Sequence, residues 1–71
     1  MNRYLITVEL IHRKTGKKTW DYSDVVVCNK IRTWTNINDI VRKAFNEDFK
    51  VLDYDDALKQ DALKVILLQE L

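Results

Sequence analysis

Apolar and polar side chains alternate along residues 4–12, and this pattern constrains the fold more than any other in the chain. Tyr4, Ile6, Val8 and Leu10 fall on one side of an extended segment, with the intervening residues on the other. A helix would scatter these side chains around its axis instead. The period of two, with its β-branched residues, predicts a β-strand.

A β-hairpin is predicted from the segment that follows. The polar residues 13–18 contain the only glycine, Gly16, which adopts a positive φ at no steric cost. A short hairpin loop with a bulge needs such a residue. Alternation resumes over residues 19–22, is interrupted at residues 23–24 and continues over residues 25–28, so we expect a bulge or bend inside the second strand.

An amphipathic helix is predicted to begin at Thr35 or Asn36 and to end near Phe49. Both starting residues have side chains that accept a hydrogen bond from a free backbone N–H. The apolar residues that follow recur at intervals of three and four, which gives one apolar stripe with polar side chains opposite. The stripe consists of Ile37, Ile40, Val41, Ala44 and Phe45.

The remaining third of the chain is less regular. Residues 50–52 fit either a longer helix or a short extended piece, and residues 53–61 read as an acidic connection with a helical turn around Ala57 and Leu58. As a helix, residues 63–71 would be apolar on every side, and a domain this small has nothing to cover such a helix. We therefore predict a strand that places Leu63, Val65, Leu67 and Leu71 on one face and Ile66 and Leu68 on the other.

These elements predict a single α+β domain over residues 1–71 with the order β-β-α-β. A right-handed crossover brings the last strand beside the first, giving a three-stranded antiparallel sheet in the order 2-1-3 with the helix on one face. One helix covers one face, so the other is left uncovered, as in dimer interfaces or docking surfaces. Scattered exposed apolar residues are the ordinary alternative. The open face is predicted to carry Leu5, Ile11, Val25, Val27, Ile66 and Leu68.

The short length of the chain favours a second copy as a source of stability. A domain of 71 residues buries a limited share of its surface, and small domains commonly rely on disulfides, a metal or a partner subunit. Cys28 is the only cysteine, which rules out an internal disulfide and fits a reducing, cytoplasmic setting. No segment approaches the roughly 20 apolar residues of a membrane helix. We therefore expect a homodimer that does not enter a membrane.

No residue pattern indicates an enzyme or a cofactor. His12, the only histidine, is predicted to lie in a solvated turn, and Cys28 to be a small core residue. The acidic run at residues 53–56 is followed by Ala57 and Leu58, where a calcium loop needs a ligand and a glycine. We predict a non-catalytic domain without metal or cofactor.

Charged and aromatic residues give two candidate interaction sites. Acidic residues concentrate in residues 47–61, where carboxylates could resemble a phosphate backbone or simply be solvated. Trp34 has no predicted burial partner and fits either a cap on the core or an interface anchor. The partner-binding candidates are Trp34, Asp53, Asp55 and Asp56. The alternative is a nucleic-acid site on the basic hairpin loop, formed by Arg13, Lys14, Lys17 and Lys18, although the near-neutral total charge makes it the less favoured of the two.

The layout resembles the small dimeric uracil-DNA glycosylase inhibitors of Bacillus phages. The segments that carry the resemblance are the hairpin ITVELIHRKTGKKTWDY and the final strand DALKVILLQEL, which together cover less than half of the chain. The family uses acidic and aromatic residues around its helix, whereas residues 39–45 here read DIVRKAF, so those roles do not transfer. The resemblance implies a protein-binding inhibitor of a host enzyme, encoded by a phage or mobile element and acting as a homodimer.

Overall fold

The computed structural model describes residues 1–50 and 53–71. The three strands form one antiparallel sheet, with the first strand between the second and the third and a helix against one face, which confirms the predicted fold class. The alternatives predicted for residues 50–52 concern Val51 and Leu52, which lie outside the described residues. In chain order the elements are β1 (Asn2–His12), β2 (Lys18–Cys28), α1 (Trp34–Asp48), α2 (Tyr54–Ala57) and β3 (Asp61–Glu70).

Strand β1 is the centre of the sheet and supplies the middle of the core. Its helix-facing residues Ile6, Val8 and Leu10 have no solvent-accessible surface. They pack against the apolar stripe of α1, of which Val41 and Phe45 are buried. The alternating side chains of β1 and the apolar stripe of α1 each lie on one side of their element, so the two apolar sides pack against each other.

Strand β2 is continuous, so the predicted break at Ser23 and Asp24 is wrong. The pairing with β1 runs without a shift from Cys28 to Trp20. The irregularity lies instead between Leu10 and Ile11, beside the hairpin loop, where Gly16 has a φ of 73°. Polar residues are tolerated at the interruption because β2 is an edge strand and both side chains are exposed.

Strand β3 contains a bulge that reverses part of the predicted face assignment. Thr7 pairs with Leu67 and Val8 with Val65, which leaves Ile66 as an extra residue without a partner on β1. Directly opposed residues share a face, and a one-residue insertion exchanges the faces of all that follow.

The bulge means that the predicted placement of Leu68 on the open face is wrong. Leu68 pairs with Ile6 and shares its helix-facing side, while Leu67 lies on the open face beside Thr7. Leu68 is nevertheless 37% exposed, because the helical layer does not cover this end of β3 completely.

Helix α1 begins earlier than the sequence predicts, at Trp34, with Thr33 as its N-cap residue. Asn36 is the third helical residue, and its Oδ1 accepts hydrogen bonds from the backbone N–H groups of Arg32 (2.9 Å) and Thr33 (3.1 Å). Asn36 therefore stabilises the loop before the helix although it lies within the first helical turn. For this reason a residue that looks like an N-cap in the sequence is the third residue of the helix.

An aromatic cluster joins the C-terminal half of α1 to the sheet. Trp20 meets Phe45 edge to face with ring centres 5.3 Å apart, and Phe49 lies 4.7 Å from Phe45. The indole N–H of Trp20 donates to the Oδ2 of Asp48 at 2.9 Å. This bond satisfies the one polar atom of a nearly buried indole and links β2 to the end of α1.

Tyr54 at the start of α2 is a fully buried core residue that the sequence analysis missed. Its ring lies 5.7 Å from that of Phe45, and its hydroxyl donates to the Oδ1 of Asn38 at 2.9 Å. The guanidinium of Arg42 lies over the ring, 5.6 Å from its centre. The acidic connection is thereby held against α1, and the helical turn predicted near Ala57 is part of this attachment.

None of the helices in the described ranges, 1–50 and 53–71, has the length and apolar character to span a membrane.

We expect Tyr54 to be essential for stability. Tyr54→Ala should destabilise the domain by about 3–5 kcal/mol, because it empties a large buried site. Tyr54→Phe should cost only about 1 kcal/mol, the usual net value of one neutral hydrogen bond. Urea unfolding followed by circular dichroism measures both, with Asp55→Asn as a nearby surface control that should change little. A loss for Tyr54→Ala no larger than for Tyr54→Phe would contradict this role.

The stability of the domain should decline at alkaline pH, in part because of Tyr54. Burial raises the pKa of Tyr54 above its ordinary value, an effect that the nearby Arg42 opposes and Asp55 supports. A raised pKa in the folded state gives a contribution that is fully present below the pKa of the unfolded chain, about 10, and is lost as the pH rises through the higher folded value. Urea midpoints between pH 8 and 11 should fall less steeply for Tyr54→Phe than for the parent chain. Equal slopes would show that Tyr54 does not contribute.

Candidate binding surfaces

The open face of the sheet is divided into an apolar end and a polar middle. At the apolar end, Leu5 on β1 pairs with Val25 on β2, and Val27 follows on β2 opposite Arg3. On β3, Gln69 is opposite Leu5, and Leu67 lies one row further along, opposite Thr7 and diagonal to Leu5. We call Leu5, Val25, Val27 and Leu67, together with the exposed bulge residue Ile66 that precedes Leu67, the apolar patch.

Most of the apolar patch is accessible to solvent. Val25 is 42% exposed and Val27 is 59% exposed, and Ile66 and Leu67 are exposed as well. Leu5 is half-buried, because it lies on the central strand between its neighbours. The open-face positions predicted for Leu5, Val25 and Val27 agree with the register.

The middle of the open face is polar, which the sequence analysis did not expect of a face that it described as apolar. The hydroxyls of Thr7 and Ser23 are 2.8 Å apart across β1 and β2. The next row contains Glu9 between Asp21 on one side and Lys64 on the other. A row with both charge signs discourages unspecific association, so the apolar patch is the part of the face most suited to association.

Ile11 lies on the open face but far from the apolar patch. It lies beyond the irregularity at which β2 has one extra residue, Thr19, and it is opposite Lys18 on β2 and Ala62 on β3. Lys18 forms an ion pair of 2.6 Å with Asp21, and the hydrogen bond to that carboxylate raises the pKa of Lys18. Ile11 is therefore half-buried by the hairpin end and separated from the patch by the polar middle.

Trp34 is 54% exposed at the first position of α1. The sequence left two interpretations open, and this exposure of Trp34 does not fit a cap on the core. Exposed tryptophans are costly in solubility and common at binding sites, so Trp34 stays a candidate interface residue.

The three carboxylates predicted to bind a partner each have a contact within the chain. Asp53 accepts a hydrogen bond from the backbone N–H of Asp55 at 3.0 Å and caps α2. Asp55 pairs with Arg42 at 3.0 Å, and Asp56 pairs with Lys59 at 3.0 Å. These contacts explain the carboxylates structurally, although all three remain exposed.

The basic hairpin loop is also partly engaged. Besides the pairing of Lys18, a guanidinium nitrogen of Arg13 donates to the carbonyl of Leu58 at 3.1 Å. Lys14 and Lys17 form no ion pair with any residue in the described ranges 1–50 and 53–71. Two of the four predicted basic contacts are therefore also structural ties.

His12 and Cys28 have local roles that differ from a reactive site. The Nδ1 of His12 accepts from the backbone N–H groups of Lys14 (3.2 Å) and Thr15 (3.3 Å), so the side chain orders the hairpin turn. Cys28 is a free, half-buried thiol at the end of β2, rather than the fully buried core residue that was expected. Within residues 1–50 and 53–71 no three His, Cys, Asp or Glu side chains are grouped as a metal site would require.

Comparisons of this chain with protein-family models, with curated proteins and with solved structures found no match. The interpretation of its surfaces therefore depends on their own geometry.

Fluorescence quenching should separate the two tryptophans. Trp34 is accessible, whereas Trp20 is 8% exposed and packed among aromatic rings. Acrylamide should quench about half of the emission readily at low protein concentration, and Trp34→Phe should remove that fraction. Emission that is equally protected in both chains would contradict the exposed position of Trp34. Protection that develops only at high protein concentration would place Trp34 in a self-association interface.

Proposed function

We propose that this chain is a non-catalytic protein-binding domain that acts as a homodimer through the open face of its sheet. The observation that supports the proposal is the apolar patch, in which exposed side chains on β2 and β3 flank the half-buried Leu5 of β1. Contiguous exposed apolar surface of this kind is typical of interaction sites, whereas single exposed apolar residues are not.

The layer arrangement supports the same proposal. The core lies between the sheet and α1 with α2, and no described element lies over the opposite face. A chain this short gains stability most readily by covering such a face with a second copy. The polar middle, with both charge signs in one row, would then define the relative orientation of the two copies.

The size of the face predicts a weak dimer. Three strands about 4.8 Å apart and about ten residues long present roughly 500 Å² on each copy. Both copies together would bury roughly 1,000 Å², which is at the lower end of specific interfaces. We therefore expect dissociation in the micromolar range.

The inhibitor role implied by the sequence resemblance is part of the proposal and concerns the partner. With the apolar patch covered in the dimer, the exposed Trp34 at the start of α1 is the candidate anchor for another protein, because tryptophan is prominent among the residues that dominate binding energy. The acidic residues Asp53, Asp55 and Asp56 contribute less support, because each already has a contact within the chain. The nucleic-acid alternative has its remaining support in Lys14 and Lys17.

Sedimentation velocity over a range of protein concentrations tests the homodimer. The parent chain should change from monomer to dimer in the micromolar range, and Val25→Lys should shift the midpoint at least tenfold, because it places a charge within the apolar patch. Asn46→Lys on the exposed side of α1 adds the same charge and should have no effect. Circular dichroism confirms that both variants remain folded.

The proposal fails in this form if the parent chain remains monomeric at millimolar concentration. It also fails if Val25→Lys and Asn46→Lys dimerise as the parent chain does, because the dimer would then use another surface.

A further inference from the structure

A groove lies on the other side of the sheet, between α1 and strand β2. Tyr22 and Val26 form its strand wall, and Ile40 and Ala44 form its helix wall. Its volume is about 440 Å³, which is in the range of sites that hold ligands. Ile40 was predicted as a core residue but is only half-buried, because it borders this groove.

The groove extends to an unpaired strand edge. Strand β2 is the last in the order β2-β1-β3, so no described residue pairs with its outer side. Val27 points to the open face, yet it lines the groove together with its neighbours Val26 and Cys28. The outer main-chain groups of this edge have no strand partner among the described residues, although the N–H of Val25 donates to the Oδ1 of Asp24 at 2.7 Å. An edge of this kind accepts an added strand once the side chain of Asp24 moves aside.

Strand β2 is also the better of the two edges for an added strand. Its pairing with β1 is regular from Cys28 to Trp20, so its backbone is evenly extended there. Strand β3 is interrupted by the bulge at Ile66, and a bulge hinders pairing along an edge.

One end of the groove is acidic. Glu47 lines the groove together with Tyr22. Burial raises the pKa of Tyr22, and the negative charges of Asp24, Glu47 and Asp48 raise it further. Lys43 is the basic residue among those that line the groove. The other end is lined by the apolar Val26, Ile40 and Ala44 and by Asp39, whose carboxylate is already paired with Arg42 at 3.1 Å.

We propose that the outer edge of β2 binds an extended peptide segment of a partner protein as a fourth, antiparallel strand. Alternate side chains of this segment enter the groove: apolar ones beside Val26 and Ile40, and a basic one beside Tyr22 and Glu47. Main-chain hydrogen bonds supply affinity, and the pattern of apolar and basic positions supplies specificity. This site goes beyond the proposed homodimer and uses the opposite face of the sheet.

The test uses a capped synthetic peptide of sequence Thr-Val-Thr-Val-Thr-Arg-Thr, and the same peptide with glutamate in place of arginine. In the antiparallel direction the valines reach the apolar end of the groove and the arginine reaches its acidic end. Titration into ¹⁵N-labelled protein should give saturable shifts of β2 and α1 amides, with slower exchange of amides in β2. The arginine peptide should bind about fivefold more tightly than the glutamate peptide, as expected for an accessible charge pair.

A charge exchange makes the test specific. Glu47→Lys should reverse the preference, so that the glutamate peptide binds more tightly than the arginine peptide. Asp56→Lys changes the net charge equally but lies outside the lining of this groove, so it should keep the preference of the parent chain. Urea unfolding of both variants establishes that they are folded.

The proposal is overturned if neither peptide gives saturable shifts at millimolar concentration, or if the shifts map to the open face around Leu5. Equal affinity for both peptides, or an unchanged preference in Glu47→Lys, would also overturn it. Each result is separate from the homodimer, whose test is sedimentation without peptide.

Discussion

The sheet of this domain has two faces and only one helical layer, and most properties of the chain depend on this inequality. Strand β1 directs Ile6, Val8 and Leu10 into the core, where they are completely buried against α1. The alternate residues must then face the other way, because a strand has no third direction. The chain therefore cannot bury one set of β1 side chains without exposing a surface made by the other set. Here that surface is polar in the rows of Thr7 and Glu9 and apolar around Leu5 and Val25.

The helical layer is held in position by aromatic contacts more than by its length. Phe45 packs against Trp20 from the sheet, Phe49 just after its own helix and Tyr54 from α2. Hydrogen bonds from Trp20 to Asp48 and from Tyr54 to Asn38 orient the outer members of this group. The aromatic contacts centre on Phe45, in the C-terminal half of α1. The opposite end of the sheet is covered less completely, which is where the partly exposed Leu68 and the apolar patch are found.

The sequence predicted the strands, the helix and their order because each of these depends on local periodicity. It failed where a single residue changed the phase of a pattern. The bulge at Ile66 exchanges the faces of Leu67 and Leu68, and nothing in an apolar run marks which residue will be extra. Tyr54 was missed for a different reason: among acidic neighbours it gives no periodic signal, and its burial depends on Phe45 and Asn38, which are distant in sequence. The surfaces of the candidate sites were partly foreseen, whereas the groove beside β2 depends on how far α1 extends across the sheet, which no local pattern specifies.

Strand β2 takes part in both proposed interactions, and its alternation determines how they relate. Val25 and Val27 belong to the apolar patch on the open face, whereas Val26 between them lies on the opposite face and lines the groove. A peptide on the outer edge therefore does not compete with a second copy on the open face. Instead, a fourth strand would widen that face by about 4.8 Å, roughly a third of its present width. The area of the open face limits the affinity of the dimer, so a wider face would bury more surface and strengthen dimerisation. Thermodynamic reciprocity would then require the dimer to bind the peptide more tightly than the monomer does. The two surfaces of this domain would in that way be coupled through the geometry of one edge strand, without any change in its fold.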